Sequence, residues 1–283
     1  MTRDVLGVTI EVGVSDFEVR SPLVDRPLSG GLGHVIADRS RAILSVTGVG
    51  TFAVESGVRI RFQPEGEIPA GAAAVWLHGT VTALLLAQRG QFALHASTVE
   101  IDSMGLALSG FQQCGKSTTA LRLAQLGHSL VTDDVSPVEL DDPILVRSST
   151  RPIHVHPETA DVLRLDLSGA QPIMAEHRKL ALSLAPHDPV PLVAVVVLEL
   201  SKSDVPVAVT RLRGSEAPWL VGQHTYRAGL LRELWQAAMF VWACEIADRV
   251  PVYRITRPSR GWTVDAVADA VERIAFSGSQ TCP

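Results

Sequence analysis

The sequence predicts an α/β fold, a strand–loop–helix core preceded by a small β-rich module. Three observations carry this. Gly110-Phe-Gln-Gln-Cys-Gly115-Lys116-Ser117 fits the pattern G-x-x-x-x-G-K-[ST], in which backbone amides and the lysine cradle phosphate oxygens while the hydroxyl meets Mg²⁺. The run before it, Met104 to Ser109, is short, apolar and closed by a glycine, as a buried strand is. The run after it, Ser117 to Leu126, is rich in helix formers and stops at Gly127; Leu121 and Leu123 to Leu126 are expected on packing faces.

Taken in order, residues 1–70 read as the β-rich module. Strand-like runs lie at Val5 to Val12, Ala42 to Val46, Thr51 to Glu55 and Val58 to Phe62, with Gly and Pro between them. Residues 71–283 form the remaining domain. Ala72 to Gln88 reads as one apolar helix in spite of Gly79. After the loop come strand candidates at His128 to Thr132, Val138 to Leu140, Ile153 to His156, Leu180 to Leu184, Pro191 to Leu200 and Val207 to Leu212. The period then changes: Leu231, Leu234, Trp235, Ala238, Met239, Trp242 and Ile246 fall at spacings of three and four, one stripe of a long helix. Pro251 to Pro258 reads as a strand. Thr263 is an expected N-cap for a last helix with Val264, Val267, Val271 and Ile274 inward, and residues 277–283 are an expected frayed tail.

Composition narrows the function classes. The chain of 283 residues is 46% hydrophobic and 19% charged, enough to bury one large core or a core with a small appended domain. Its net charge of −5 gives no general field for nucleic acid. The longest apolar stretch, Val190 to Leu200, is interrupted by Pro191 and Glu199 and falls short of the about 20 residues a bilayer span needs. The N-terminal segment has no signal-type apolar run, and three cysteines without C-x-x-C spacing suggest neither a disulfide framework nor zinc. A reducing cytoplasm is the expected compartment.

The loop residues Gly110, Gln112, Gln113, Cys114, Gly115, Lys116, Ser117 and Thr118 are the expected nucleotide contacts, with Ser117 on Mg²⁺. Gln113 stands where such loops often carry another glycine. Asp133 and Asp134 follow a strand candidate, 17 and 18 residues after Lys116. One of the two can hold Mg²⁺ and the other can take a proton from an attacking hydroxyl; alone, the pair would read as a solvated turn. His154 and His156 share one face of a strand as an H-x-H pair, without a third metal ligand in view. Arg254, Arg257 and Arg260 are basic groups that could meet phosphate or an acidic peptide, or simply face solvent. Trp235 and Trp242 read as core, and Cys114 as a partly buried spectator thiol.

Three blocks together resemble the catalytic domain of the HPr kinase/phosphorylase family: Leu94-His95-Ala-x-x-Val-Glu-Ile101, the loop from Gly110 to Thr118, and Leu126-Gly127-His128-x-Leu130-Val131-Thr132-Asp133-Asp134. The chain looks closer to the stand-alone kinases found with lasso-peptide biosynthesis genes. The resemblance implies a P-loop kinase core of the HPr kinase / PEP carboxykinase type, ATP and Mg²⁺ as cofactors, and transfer of the γ-phosphoryl to a serine of a precursor peptide. It implies Lys116 on phosphate, Ser117 and Asp133 at the metal, Asp134 as proton acceptor and His95 lining the site. It favours Arg178 and Lys179 as phosphate or substrate contacts, and it leaves a homo-oligomer open. The Gln112-Gln113-Cys114 segment departs from the family loop. The downstream Pro-Gly-Arg sequence of the bifunctional enzymes is absent, so phosphorylase activity is not implied. Alternatives on the same scaffold are a small-molecule hydroxyl kinase and a nucleotide-binding regulator without transferase activity.

Overall fold

The computed structural model describes residues 4–13, 17–19, 21–28, 32–68, 71–148, 152–168, 171–172, 180–182, 184–185 and 187–278. The chain falls into two compact units, Met1–Phe92 with Arg227–Met239, and Ala93–Tyr226 with Phe240–Pro283. Strands and helices are mixed as the composition and periodicity require.

The first unit holds β1 (Asp4–Val5), β2 (Val8–Val12), β3 (Val24–Pro27), β4 (Gly33–Ala37), β5 (Arg41–Val46), β6 (Gly50–Glu55) and β7 (Arg59–Pro64). They form one seven-stranded sheet in the order β1-β2-β7-β6-β5-β4-β3. Among the described residues of this sheet, β2 and β7 are the one parallel pair. Leu44, Phe52, Val54 and Ile60 are completely buried, and the Phe52 and Phe62 rings stack at 4.3 Å. Ser56 and Gly57, both at positive φ, make the tight turn between β6 and β7. The sequence misses β3 and β4, whose residues lack a clean alternation of apolar and polar side chains.

The apolar run after the sheet is helical but not continuous. It comprises α1 (Ala72–Trp76), a π turn at Leu77–Val81 and α2 (Thr82–Gln88). The expected single helix breaks at Gly79, whose φ of −114° and ψ of −108° suit a residue without Cβ.

The second unit is built on a nine-stranded sheet: β8 (Phe92–Leu94), β9 (Ala96–Ile101), β10 (Met104–Gly110), β11 (Ser129–Thr132), β12 (Ser136–Glu139), β13 (Leu145–Val146), β17 (Val190–Ser201), β18 (Ala208–Arg211) and β19 (Val252–Pro258). A second, three-stranded sheet contains β14 (Ile153–Val155), β15 (Gln171–Pro172) and β16 (Leu180–Leu182). Its helices are α3 (Lys116–Gln125), α4 (Pro157–Leu163), α5 (Glu216–Gln223) and α7 (Val264–Gly278), while α6 (Ala228–Arg249) begins in the first unit and ends in the second.

Direction in the large sheet decides where chemistry can happen. β10 runs parallel to β17, and β17 parallel to β19. β9 is antiparallel to both β10 and β11, so β11 runs with β10. The carboxyl ends of β10 and β11 and the start of β9 therefore lie at one end of the sheet, with Ser109 paired to Ala96. Leu106, Leu108, Val196, Leu198 and Ile255 of the sheet pack with Leu123 of α3 and Val267, Val271 and Ile274 of α7.

Some helical expectations need correction. Leu126, at the C-cap of α3, is 43% exposed. In α6 the stripe residues Leu231, Leu234, Met239, Trp242 and Ile246 are buried, but Ala238 is exposed, because Trp235 leaves helical geometry at φ −130° and shifts the stripe. Thr263 does not cap α7 through its side chain: among the described residues its buried Oγ1 has no partner, while its carbonyl accepts the Val267 N–H at 3.0 Å. Helix α7 continues to Gly278, and residues 279–283 of the expected frayed tail lie outside the described residues.

Candidate active site

Strand β10 delivers the chain to the loop at Gly110, whose φ is +137°. A Cβ there would sit 2.5 Å from the Leu198 carbonyl and 2.7 Å from Cys114 Sγ, so the close strand packing requires glycine. Gln113 is left-handed at φ 65°, the conformation that a glycine at this loop position would adopt without strain. Gly115, at φ +104°, precedes α3. Arg257 of β19 braces the turn, its Nε and Nη2 donating to the Cys114 carbonyl at 3.1 and 3.0 Å. Arg254 is instead paired with Glu199 and Glu216. The Cys114 side chain belongs to the apolar core, and burial pushes its thiol up, away from reactive thiolate.

Lys116 opens α3 and is 8% exposed. Its Nζ donates to the carbonyls of Gly110 at 2.9 Å and Phe111 at 3.3 Å, so the ammonium is held by the loop's own oxygens.

At the end of β11, Asp133 is 3% exposed. Its Oδ1 accepts the Ser97 hydroxyl at 2.6 Å and the Ser117 hydroxyl at 2.8 Å, and Oδ2 receives the His154 amide at a longer 3.4 Å. Burial, then the neighbouring Asp134 charge, raise its pKa in spite of these donors. Beside it, Asp134 takes a left-handed backbone at φ 66°. Its Oδ1 stands 3.0 Å from His95 Nε2, the two side chains being 31% and 34% exposed.

The backbone of His95 is fixed on both sides. Its N–H donates to the His224 carbonyl at 2.7 Å, and its carbonyl accepts the Ser109 hydroxyl at 3.0 Å. The ring meets Tyr226 edge-on at 5.8 Å. Behind the aspartates, Ser136 Oγ donates to the Ala96 carbonyl at 3.0 Å, leaving Thr98 and Thr132 as the donors to Ser136 at 2.9 and 2.5 Å. This hydroxyl network ties the start of β9 to the segment that follows β11.

These groups open onto one cleft of about 540 Å³. His95, Lys116, Ser117, Asp133 and Asp134 line it, as do the loop residues Gln112, Gln113, Gly115 and Thr118. Gly110 and Cys114 are not among its lining residues. His154 and His156 of the H-x-H pair form part of its wall, with Thr159. Arg178 and Lys179 lie outside the described residues. Ser97, Phe111, His224 and Tyr226 are neighbours that sequence reasoning misses: a serine in a strand and residues far along the chain carry no local signal. The resulting arrangement sets the Lys116 ammonium, the Ser117 hydroxyl and the carboxylates of Asp133 and Asp134 on one cleft, groups that could hold a polyanion and a divalent cation.

No protein-family model matches the chain. Short segments are similar to curated HPr kinase/phosphorylases: 38% identity over 58 residues to that of Clostridium botulinum (strain Eklund 17B / Type B), covering 20% of this chain and 19% of the relative. With the Lactobacillus acidophilus enzyme the identity is 50% over 42 residues, 15% of this chain and 13% of the relative. With that of Clostridium perfringens (strain SM101 / Type A) it is 41% over 56 residues, 19% and 18%. The matched region thus spans less than a fifth of the length of these relatives. Among solved structures, the Hpr(Ser) kinase/phosphatase from Coxiella burnetii aligns with a TM-score of 0.36 and 16% identity, over 65% of this chain and 97% of that one. Among the described residues, no helix is long and apolar enough to cross a membrane.

Proposed function

We propose that this chain is an ATP- and Mg²⁺-dependent serine kinase of the HPr kinase/phosphorylase-like P-loop type, with a peptide acceptor. A lasso-type precursor peptide is the acceptor we favour. The observation that carries the reading is the meeting of Lys116, Ser117, Asp133, Asp134 and His95 on one cleft. We further take residues 1–70 as a separate β-rich module, residues 71–283 as the catalytic domain, and the cytoplasm as the compartment that supplies ATP.

The donor set fits a divalent cation. Ser117 spends its hydroxyl proton on Asp133, which leaves oxygen lone pairs for a metal. The buried Asp133 carboxylate, with its raised pKa, is a charge that a cation would relieve. Mg²⁺, when bound, would neutralise charge on the phosphates. Lys116 would exchange the Gly110 and Phe111 carbonyls for phosphate oxygens. Asp134 would accept the proton of the acceptor serine as its oxygen bonds to the γ-phosphorus and the bond to the β–γ bridging oxygen breaks, releasing ADP. His95, 3.0 Å from Asp134, would fix the carboxylate's orientation.

Transfer of label from γ-labelled ATP to a panel of serine-containing peptides and a panel of hydroxylated metabolites tests the reading. Phosphoserine in a peptide supports it. Label only in a metabolite would make the enzyme a small-molecule kinase, and ATP binding by calorimetry without transfer to either panel would make it a regulator.

A further inference from the structure

His224 follows α5 with only 4% of its surface exposed, and among the described residues its Nε2 has no hydrogen-bond partner. An unsatisfied buried nitrogen opposes folding, so its surroundings call for explanation. The segment His224–Tyr226 runs against Ala93–His95. Beyond the His95 amide on the His224 carbonyl, Tyr226 N–H donates to the Ala93 carbonyl at 2.7 Å, and Leu94 bridges Thr225. The His224 ring stands edge-on to Phe111, with centroids 5.0 Å apart at 69°. Phe111 is the first variable residue of the loop, and its carbonyl is one of the two that hold Lys116. His224 therefore touches the loop with its ring and His95 with its backbone.

We propose that His224 is a positioning residue of this site, an uncharged wedge that acts through Phe111 on the Lys116 end of the loop and through its own carbonyl on His95. The proposal rests on the reading of the loop as an ATP site. The charged and titratable groups facing His224 are Lys116 of α3 and His95 ahead of β9. Burial first, then these two groups, hold His224 down to about 4, so the ring stays neutral across the physiological range. A charge on it would be driven against the ammonium it helps to place.

The test compares the parent chain with His224→Ala and His224→Phe. Calorimetry with MgATP and steady-state transfer to an acceptor serine are measured for each, with a thermal melt. His224→Ala removes the edge contact and is expected to raise KM for ATP by about tenfold. His224→Phe keeps an uncharged ring beside Phe111 and is expected to bring KM back to within about threefold of the parent. It should also melt no lower than the parent, because the unpartnered nitrogen is gone. In the parent, the His224 ring signals in NMR should stay those of a neutral imidazole down to about 4 and shift when MgATP is added. A His224→Ala variant with the parent's KM, or a ring that titrates near the ordinary histidine value and ignores MgATP, overturns the proposal. Should His224→Ala fail to fold, the NMR titration and His224→Phe decide. A parent that binds no ATP overturns the reading of the loop itself, whereas a parent that binds while all variants bind equally removes only His224.

Discussion

The two compact units treat buried polarity differently. In the first, among the described residues, the buried polar side chains are Arg61, Thr80 and Thr82. Arg61 pairs with Glu55 at 2.6 Å and Thr82 donates to the Leu77 carbonyl at 2.6 Å, both local contacts within a sheet or helix. In the second, among the described residues, ten are buried, and Ser97, Thr98, Ser109, Lys116, Thr132, Asp133 and Ser136 of these gather where β10 and β11 end. Burying polar and charged groups opposes folding unless they are satisfied, and a cluster of them at one sheet end is what the proposed kinase site would require. The first unit scatters its few buried polar groups, whereas the second gathers buried polar groups, Lys116 and Asp133 among them, at one end of its large sheet.

The most severe way to break this contrast is Asp134→Asn. If Asp134 is the proton acceptor, transfer of labelled phosphate to the acceptor serine should fall by about 10²–10⁴-fold, with an unchanged far-ultraviolet circular dichroism spectrum, since the side chain is 31% exposed. A loss of less than tenfold, or about 1.4 kcal/mol, would deny the cluster its catalytic role.

A second test uses pH. The folded-state pKa of Asp133 is raised by burial and by Asp134. Unfolding lets the group ionise more readily, so its favourable contribution to stability is fully present below the unfolded value, near 3.9, and is lost as pH rises through the folded value. Asp133→Asn removes this dependence. Its melting temperature relative to the parent should therefore climb as pH is raised from about 3 to neutrality. MgATP should raise the melting temperature of the parent and do so less for the variant. A constant offset between the two melting curves at every pH would show that Asp133 is not destabilised by its charge.

The hydroxyl network behind the aspartates offers a smaller, direct comparison. Ser136→Ala deletes a buried group that bonds Ala96, Thr98 and Thr132, and should cost about 1–3 kcal/mol. Ser45→Ala in the first unit deletes an exposed hydroxyl 3.3 Å from Thr51 and should stay within about 0.5 kcal/mol. Denaturant titration of both variants reads the difference, and equal costs would erase the contrast between the units.

Sequence reasoning found the parts of the site that are local in the chain. The loop and its flanking strand and helix are contiguous, and the paired aspartates follow a strand visible as Leu130-Val131-Thr132. It also found the inward face of α7, because Val264, Val267, Val271 and Ile274 keep helical spacing without interruption. Other features depend on distant partners. Helix α6 loses its stripe at Ala238 through a backbone break at Trp235 that no propensity signals. The short helices α4 and α5 carry too few turns for a period to emerge. Arg257 is one of three arginines that the sequence does not distinguish; its bonds to the Cys114 carbonyl set it apart from Arg254, which pairs with Glu199 and Glu216. His224 reaches the site through strand pairing that the sequence cannot express.

The smallest expected effect isolates backbone from function. Gln113 in the loop and Ser56 in the β6–β7 turn are both left-handed, at φ 65° and 50°. Such a conformation costs a side-chain-bearing residue roughly 1–2 kcal/mol, while glycine gives back roughly 0.5–1 kcal/mol through its freer unfolded chain. Gln113→Gly and Ser56→Gly should therefore shift stability by similar amounts, each at most about 1.5 kcal/mol. Because the loop already holds the conformation that glycine prefers, Gln113→Gly should change KM for ATP by less than about threefold. Gln113→Val, whose branched Cβ resists positive φ, should raise that KM, whereas Ser56→Val should lower stability and leave KM alone. A Gln113→Gly variant with greatly improved ATP affinity would mean that the glutamine, through its side chain and not its backbone, obstructs the cleft it lines.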